Sequence, residues 1–137
     1  MAMRLSHRAF ERLVADALDT LPDAILRMLD NVAVVVADEP TPHQIARARP
    51  GDNMMLLGLY EGIPRTERTS AYGSVLPDKV TIFQRALETI CATPEELMMQ
   101  VRHTVVHELA HHLGISDARL IDLGYEDDPY ADGEESA

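Results

Sequence analysis

Residues 93–114 read TPEELMMQVRHTVVHELAHHLG, and this stretch commits the chain to one long helix. Thr93 can cap the first turn, Pro94 suits the first helical position, and Glu96 completes a capping box three residues after the cap. Leu97, Met98, Val101, Val105, Leu109 and Leu113 recur at helical spacing and predict a buried stripe. Gly114 is the expected terminator, because glycine takes the left-handed turn that ends helices.

The rest of the chain must supply what that stripe packs on. SHRAFERLVADALDTL places Phe10, Leu13, Val14, Ala17, Leu18 and Leu21 on one helical face. A second short helical pattern, PDAILRMLD, opens with Pro22. VAVVVADEP is a continuous β-branched run stopped by Pro40, and predicts a central strand. TPHQIARARPGDN reads as a loop with room for one helical turn. MMLLGLYEG and KVTIFQRALE are the expected second and third strands. Between them lies EGIPRTERTSAYGSVLPD, a turn-rich linker and a candidate binding loop. DARLIDLGY predicts a short last helix. This order predicts an α+β domain, a small mixed sheet packed against helices. One domain is expected over residues 1–125, with an acidic tail, 126–137, that lacks apolar periodicity. With 46 % apolar residues and no Trp, the core is expected to be aliphatic and Met-rich.

Charge narrows the partners. The chain carries −11 at pH 7, and no Lys or Arg follows Arg119. Nucleic acid is an unsuitable partner, because phosphate binding needs a basic face. The tail reads as a solvated end or as a lure for basic peptides. No apolar run follows a basic start, so no signal peptide is expected. No apolar stretch is long enough to span a membrane, and the cytoplasm is the expected location. Cys91 is the single cysteine, which excludes an intramolecular disulfide, and it is expected to be a small buried hydrophobe.

Four of the six histidines fall within the stretch HTVVHELAHHLGISDARL, residues 103–120. His107 and His111 are four apart on the predicted helix and project from the same face. Two imidazoles so placed can take two corners of a tetrahedral metal. Glu108, beside His107, is placed to act on a water rather than to ligate, which is the H-E-x-x-H division of labour. Gly114 and Asp117 extend the pattern to H-E-x-x-H-x-x-G-x-x-D, which chance would produce roughly once in ten thousand sequences of this composition. Gly114 can turn the chain back at positive φ, and Asp117 can then offer a carboxylate as third ligand. The alternative for Asp117 is an N-cap for the following helix. His103, one turn before His107, is expected at the edge of the site. His112, rotated about 100° from His111, is expected to pack or to bond backbone.

On these residues the chain resembles the small bacterial zincin-like metallopeptidases. The resemblance covers most of the sequence and rests on LLGLYEGIP, YGSVLPDKVTIFQRALE and VRHTVVHELAHHLGISDARL, in that order. It implies a minimal zincin domain: a twisted sheet, a backing helix and the active-site helix. His107, His111 and Asp117 match the family's zinc ligands, and Glu108 matches its general base. Two departures from larger zincins stand out. No Met follows Met99, so the methionine turn below the metal is absent, and the third ligand is Asp rather than His.

The expected function is zinc-dependent hydrolysis of a peptide or protein substrate. Tyr72, Tyr125 and Tyr130 are candidate donors to the developing oxyanion. KVTIFQRALE is the candidate edge on which an extended substrate pairs. The alternatives are a zinc-binding interaction module with little turnover, and hydrolysis of a non-peptide amide.

Overall fold

The computed structural model describes residues 4–48, 56–62 and 78–125. The acidic tail, most of the turn-rich linker, Tyr72 and Tyr130 lie outside the described residues.

The first helix, α1 (His7–Asp19), starts at Ser6, whose hydroxyl accepts the Ala9 N–H at 3.1 Å. Phe10, Val14 and Ala17 form its buried face, as their spacing predicts. The second, α2 (Asp23–Met28), has Pro22 in the cap position and buries Ile25. After β1 (Val32–Ala37) comes α3 (Pro42–Arg47), a six-residue helix where a loop with one helical turn is expected. Thr41 and Gln44 explain the difference. Thr41 Oγ1 accepts the Gln44 N–H, and the Gln44 side chain accepts the Thr41 N–H, a full capping box. It is the same Thr-Pro-x-acceptor signature that begins the long helix.

The next correction falls on KVTIFQRALE. Its first half is strand and its second half is helix: β3 (Asp78–Phe83) runs directly into α4 (Gln84–Ile90). The burial of Phe83, Leu87 and Cys91, four residues apart, marks the change of period. The long helix α5 (Pro94–Leu113) forms as predicted, with a complete Thr93/Glu96 box and Gly114 at φ 71°. The last helix, α6 (Asp117–Asp122), is capped by Ser116, whose hydroxyl accepts from Arg119 N–H. Asp117 is therefore the first helical residue rather than the N-cap.

The sheet has the order β1-β3-β2, where β2 is Gly58–Glu61. β3 is parallel to β1 and antiparallel to β2. Two expectations are overturned together. Among the described strands the β-branched run of β1 forms an edge, not the centre, and Val35 is 37 % exposed. β3 is the central strand, with Val80, Ile82 and Phe83 fully buried. Its backbone is laddered on both sides, so it cannot pair with a substrate.

Two core clusters lie between these layers. One joins Phe10, Val14 and Ala17 of α1 to Val80 and Ile82 of β3 and to Leu97, Val101 and Val105 of α5. The other gathers Leu21, Ile25, Val106, Leu109, Leu120 and Tyr125. Among the described residues the core is aliphatic apart from Phe10, Phe83 and Tyr125, no Met is fully buried, and Met99 is 38 % exposed. Leu113 departs from the predicted stripe as well, at 51 % exposed, because the last turn of α5 lies open to solvent. A polar knot ties the chain's start to α4. Leu5 N–H donates to Glu88 Oε2 at 2.7 Å, and the Gln84 amide donates to both Leu5 C=O and Glu88 Oε2. Among the described residues no helix is long and apolar enough to cross a membrane.

Two features of this packing yield measurable outcomes. At Gly58 an added Cβ would stand 2.5 Å from Thr104 Cγ2 and 3.1 Å from the Thr81 carbonyl. Gly58→Ala is expected to cost about 1–3 kcal/mol, read from the urea midpoint. Adding Thr104→Ser, which removes the clashing methyl, should recover most of the loss. An unchanged midpoint in the single variant would show that α5 and β2 separate without cost.

Cys91 is 2 % exposed, as its composition context suggested. Burial, and then the negative charge of Glu96, push its thiol from the ordinary 9.0 up to about 11. The unfolded chain thus releases this proton first, and the associated stability is complete below about pH 9 and lost as pH rises through about 11. Melting temperatures followed from about pH 8 to 11 should fall more steeply in wild type than in Cys91→Ala. Parallel slopes would show that the thiol contributes nothing.

Candidate metal centre

The second half of α5 carries the histidines. The His107 and His111 rings lie 4.0 Å apart between centroids, tilted by 51°. His107 is half-buried and His111 is exposed, so the pair borders solvent. His103 continues the ladder, its ring 5.5 Å from that of His107 and nearly parallel to it at 24°.

Glu108 projects from a neighbouring face and is buried, at 8 % exposed. Its Oε1 accepts the backbone N–H of Tyr60 at 3.0 Å. The geometry of β2 explains why that donor is on offer. Leu57 C=O accepts Phe83 N–H, so the odd-numbered residues here face β3. The alternation of an antiparallel pair then turns Tyr60 N–H to the outer edge. Gly58 is what lets α5 approach closely enough, for Thr104 Cγ2, one turn before Glu108, stands 2.5 Å from where its Cβ would be.

Further polar contacts gather around Tyr60. Its hydroxyl donates to Asp78 Oδ2 at 2.6 Å. Tyr60 pairs with Val80, so Asp78 is its diagonal neighbour on the same face of the sheet. The His112 ring stacks on the Tyr60 ring at 3.9 Å and 14°, and His112 Nε2 lies 3.9 Å from the same Asp78 oxygen. His112 thus packs, as expected, but against an aromatic ring. Nearby, Glu61 Oε1 accepts from the Gln44 amide at 3.2 Å and lies 3.9 Å from Lys79 Nζ.

Sequence reasoning did not single out Tyr60 or Asp78. Their meeting depends on the register of β2 on β3, which no local pattern encodes. The capped α5 and the i, i+4 pairs on it were readable, and they bring Glu108 and His112 to the same strand.

Asp117 is exposed at the first position of α6. Among the described residues no three His, Cys, Asp or Glu side chains stand close enough together to hold a metal ion. His107 and His111 are brought together, and Asp117 is not gathered to them. Tyr125, the one described candidate for an oxyanion donor, has its ring in the second core cluster at 6 % exposed.

The donor set still matches zinc in kind. Two imidazoles at i, i+4 on a rigid, doubly capped helix are the pair zinc takes at two corners, and solvent reaches them from the His111 side.

Comparison with known proteins places the chain in a family. A family model described as zincin-like metallopeptidase matches residues 29–126. A solved structure of a conserved hypothetical protein from Thermo thermophilus is 25 % identical, covering 80 % of this chain and 94 % of that one, with a TM-score of 0.48. No curated protein matches at a significant level. Because the family match takes in well over half of the sequence, this chain belongs to the zincin-like metallopeptidases.

Proposed function

We propose that the protein is a zinc-dependent hydrolase of peptide bonds, with Glu108 as general base. The observation that carries the reading is the His107–His111 ring pair on α5 with Glu108 between them in sequence, in a chain of this family. His107 and His111 are the proposed zinc ligands. Asp117, three residues beyond the Gly114 turn, is the proposed third. Bound zinc would lower the pKa of a water and polarise the scissile carbonyl.

The chain's own residues supply the remaining chemistry. Glu108 takes the proton of the attacking water and passes it to the leaving amine nitrogen. Its carboxylate is held at the outer edge of β2 by Tyr60 N–H. The substrate partner is a peptide or protein segment in extended form. It pairs along β2, which among the described strands is laddered on β3 alone, through outward groups other than the Tyr60 N–H that Glu108 takes. The acidic balance of the chain, −11, disfavours nucleic acid.

A second reading is a zinc-binding interaction module with little turnover. It draws on the lack of a gathered three-ligand set among the described residues. One experiment separates the two. Purified protein is loaded with zinc, its metal content is measured, and it is incubated with dye-quenched casein. Roughly one zinc per chain is expected, lost in His107→Ala and in His111→Ala and weakened in Asp117→Ala. Glu108→Gln should keep the zinc while kcat falls by about 10²–10⁴-fold. Zinc uptake without casein cleavage would favour the interaction module. No uptake of divalent metal at all would remove both readings.

A further inference from the structure

Helix α5 carries two interleaved pairs at i, i+4 spacing. His107 and His111 are the proposed ligands. Glu108 and His112 form the other pair, and both converge on one residue of β2, Tyr60. Glu108 Oε1 takes its backbone N–H at 3.0 Å, and the His112 ring lies flat on its phenol at 3.9 Å. The phenol hydroxyl is in turn fixed by Asp78 Oδ2 at 2.6 Å, an oxygen that His112 Nε2 approaches to 3.9 Å. Asp78 is itself buried, at 8 % exposed, at the first position of β3.

We propose that Tyr60, held by Asp78 and His112, is a positioning residue that fixes the Glu108 carboxylate for proton transfer. The inference rests on Glu108 being the general base of the proposed function. A glutamate side chain has three rotatable torsions and would otherwise sample several rotamers. A base displaced by about 1 Å from its working geometry loses about 100-fold in rate. The Tyr60 N–H is a stiff anchor, because β2 is laddered on the central strand and its outward groups cannot turn. The stacked His112 ring ties β2 to α5, and the phenol bond to Asp78 ties it to β3. The base is thereby held in register with the imidazole pair one residue back.

The anchor is a backbone group, so the test compares two substitutions that both delete the phenol. Tyr60→Ala keeps the N–H, and Tyr60→Pro removes it. Proline is compatible with an edge position whose N–H lies outside the ladder. Full-length, zinc-loaded protein is assayed on dye-quenched casein, with zinc content measured alongside. Tyr60→Pro is expected to show a kcat about 100-fold below Tyr60→Ala, at equal zinc content and similar KM. Equal kcat values in the two variants overturn the proposal. Asp78→Ala should lower kcat roughly tenfold, and Asp78→Asn, whose amide oxygen still accepts the phenol proton, should recover most of it. Loss of zinc or of folded structure in step with kcat would reduce the cluster to a structural role and overturn the proposal too.

A second readout does not depend on turnover. In protein labelled with carbon-13 glutamate, the Glu108 carboxyl resonance should move in Tyr60→Pro and Asp78→Ala and stay in place in Asp78→Asn. A resonance unmoved in all three overturns the positioning role. Should wild type cleave no casein, the proposed function fails, while this resonance still decides whether Tyr60 holds the carboxylate.

Discussion

The close approach of α5 to β2 at Gly58 is the constraint on which the rest of the site depends. With no side chain there, the Thr104 methyl can sit almost on the strand backbone. That contact brings the next turn of the helix within reach of the strand's outer edge. Only then can Glu108 find Tyr60 N–H, and only then can the His112 ring lie on the phenol. A helix one methyl group further away would leave the buried Glu108 carboxyl without this donor, and each hydrogen bond lost by a buried polar group is costly.

This geometry sorts the four histidines of the segment. His107 and His111 face outward as a pair, His103 extends their row, and His112 turns to the strand. The distinction follows from helical phase alone. Residues 108 and 112 lie about 100° round the helix from 107 and 111. One phase meets solvent and suits a ligand. The other meets β2 and suits a prop.

How much of this was legible in the sequence depended on the range of the interaction that fixed each part. The long helix was legible end to end, because Thr93, Pro94, Glu96 and Gly114 act within a few residues of themselves. Its buried stripe was legible except at Met98, which is only half-buried, and at Leu113, where the helix outruns the core. The same local rule applied at Thr41 and Gln44 would have found α3. The junction inside KVTIFQRALE was hidden because an apolar strand and a short buried helix start alike. Strand order was not legible at all. A β-branched run fits an edge as well as a centre, and what decides is pairing between residues such as Val34 and Val80, far apart in the chain. For the same reason Tyr60 and Asp78 stayed out of sight while His107, Glu108 and His111 stood out.

The knot between Leu5 and Glu88 has a consequence for how the protein is made. The two residues are 83 positions apart, and the α1 face of Phe10 and Val14 packs on Val101 and Val105. A ribosome delivers these partners in order, at about 5–20 residues per second. The apolar face of the first helix therefore waits on the order of ten seconds for the element that covers it. That interval is the window in which a nascent chain of this kind is open to chaperones or to aggregation. The helix that ends the wait is the one that bears His107 and His111, so the closing of the core and the arrival of the imidazoles are a single event in synthesis.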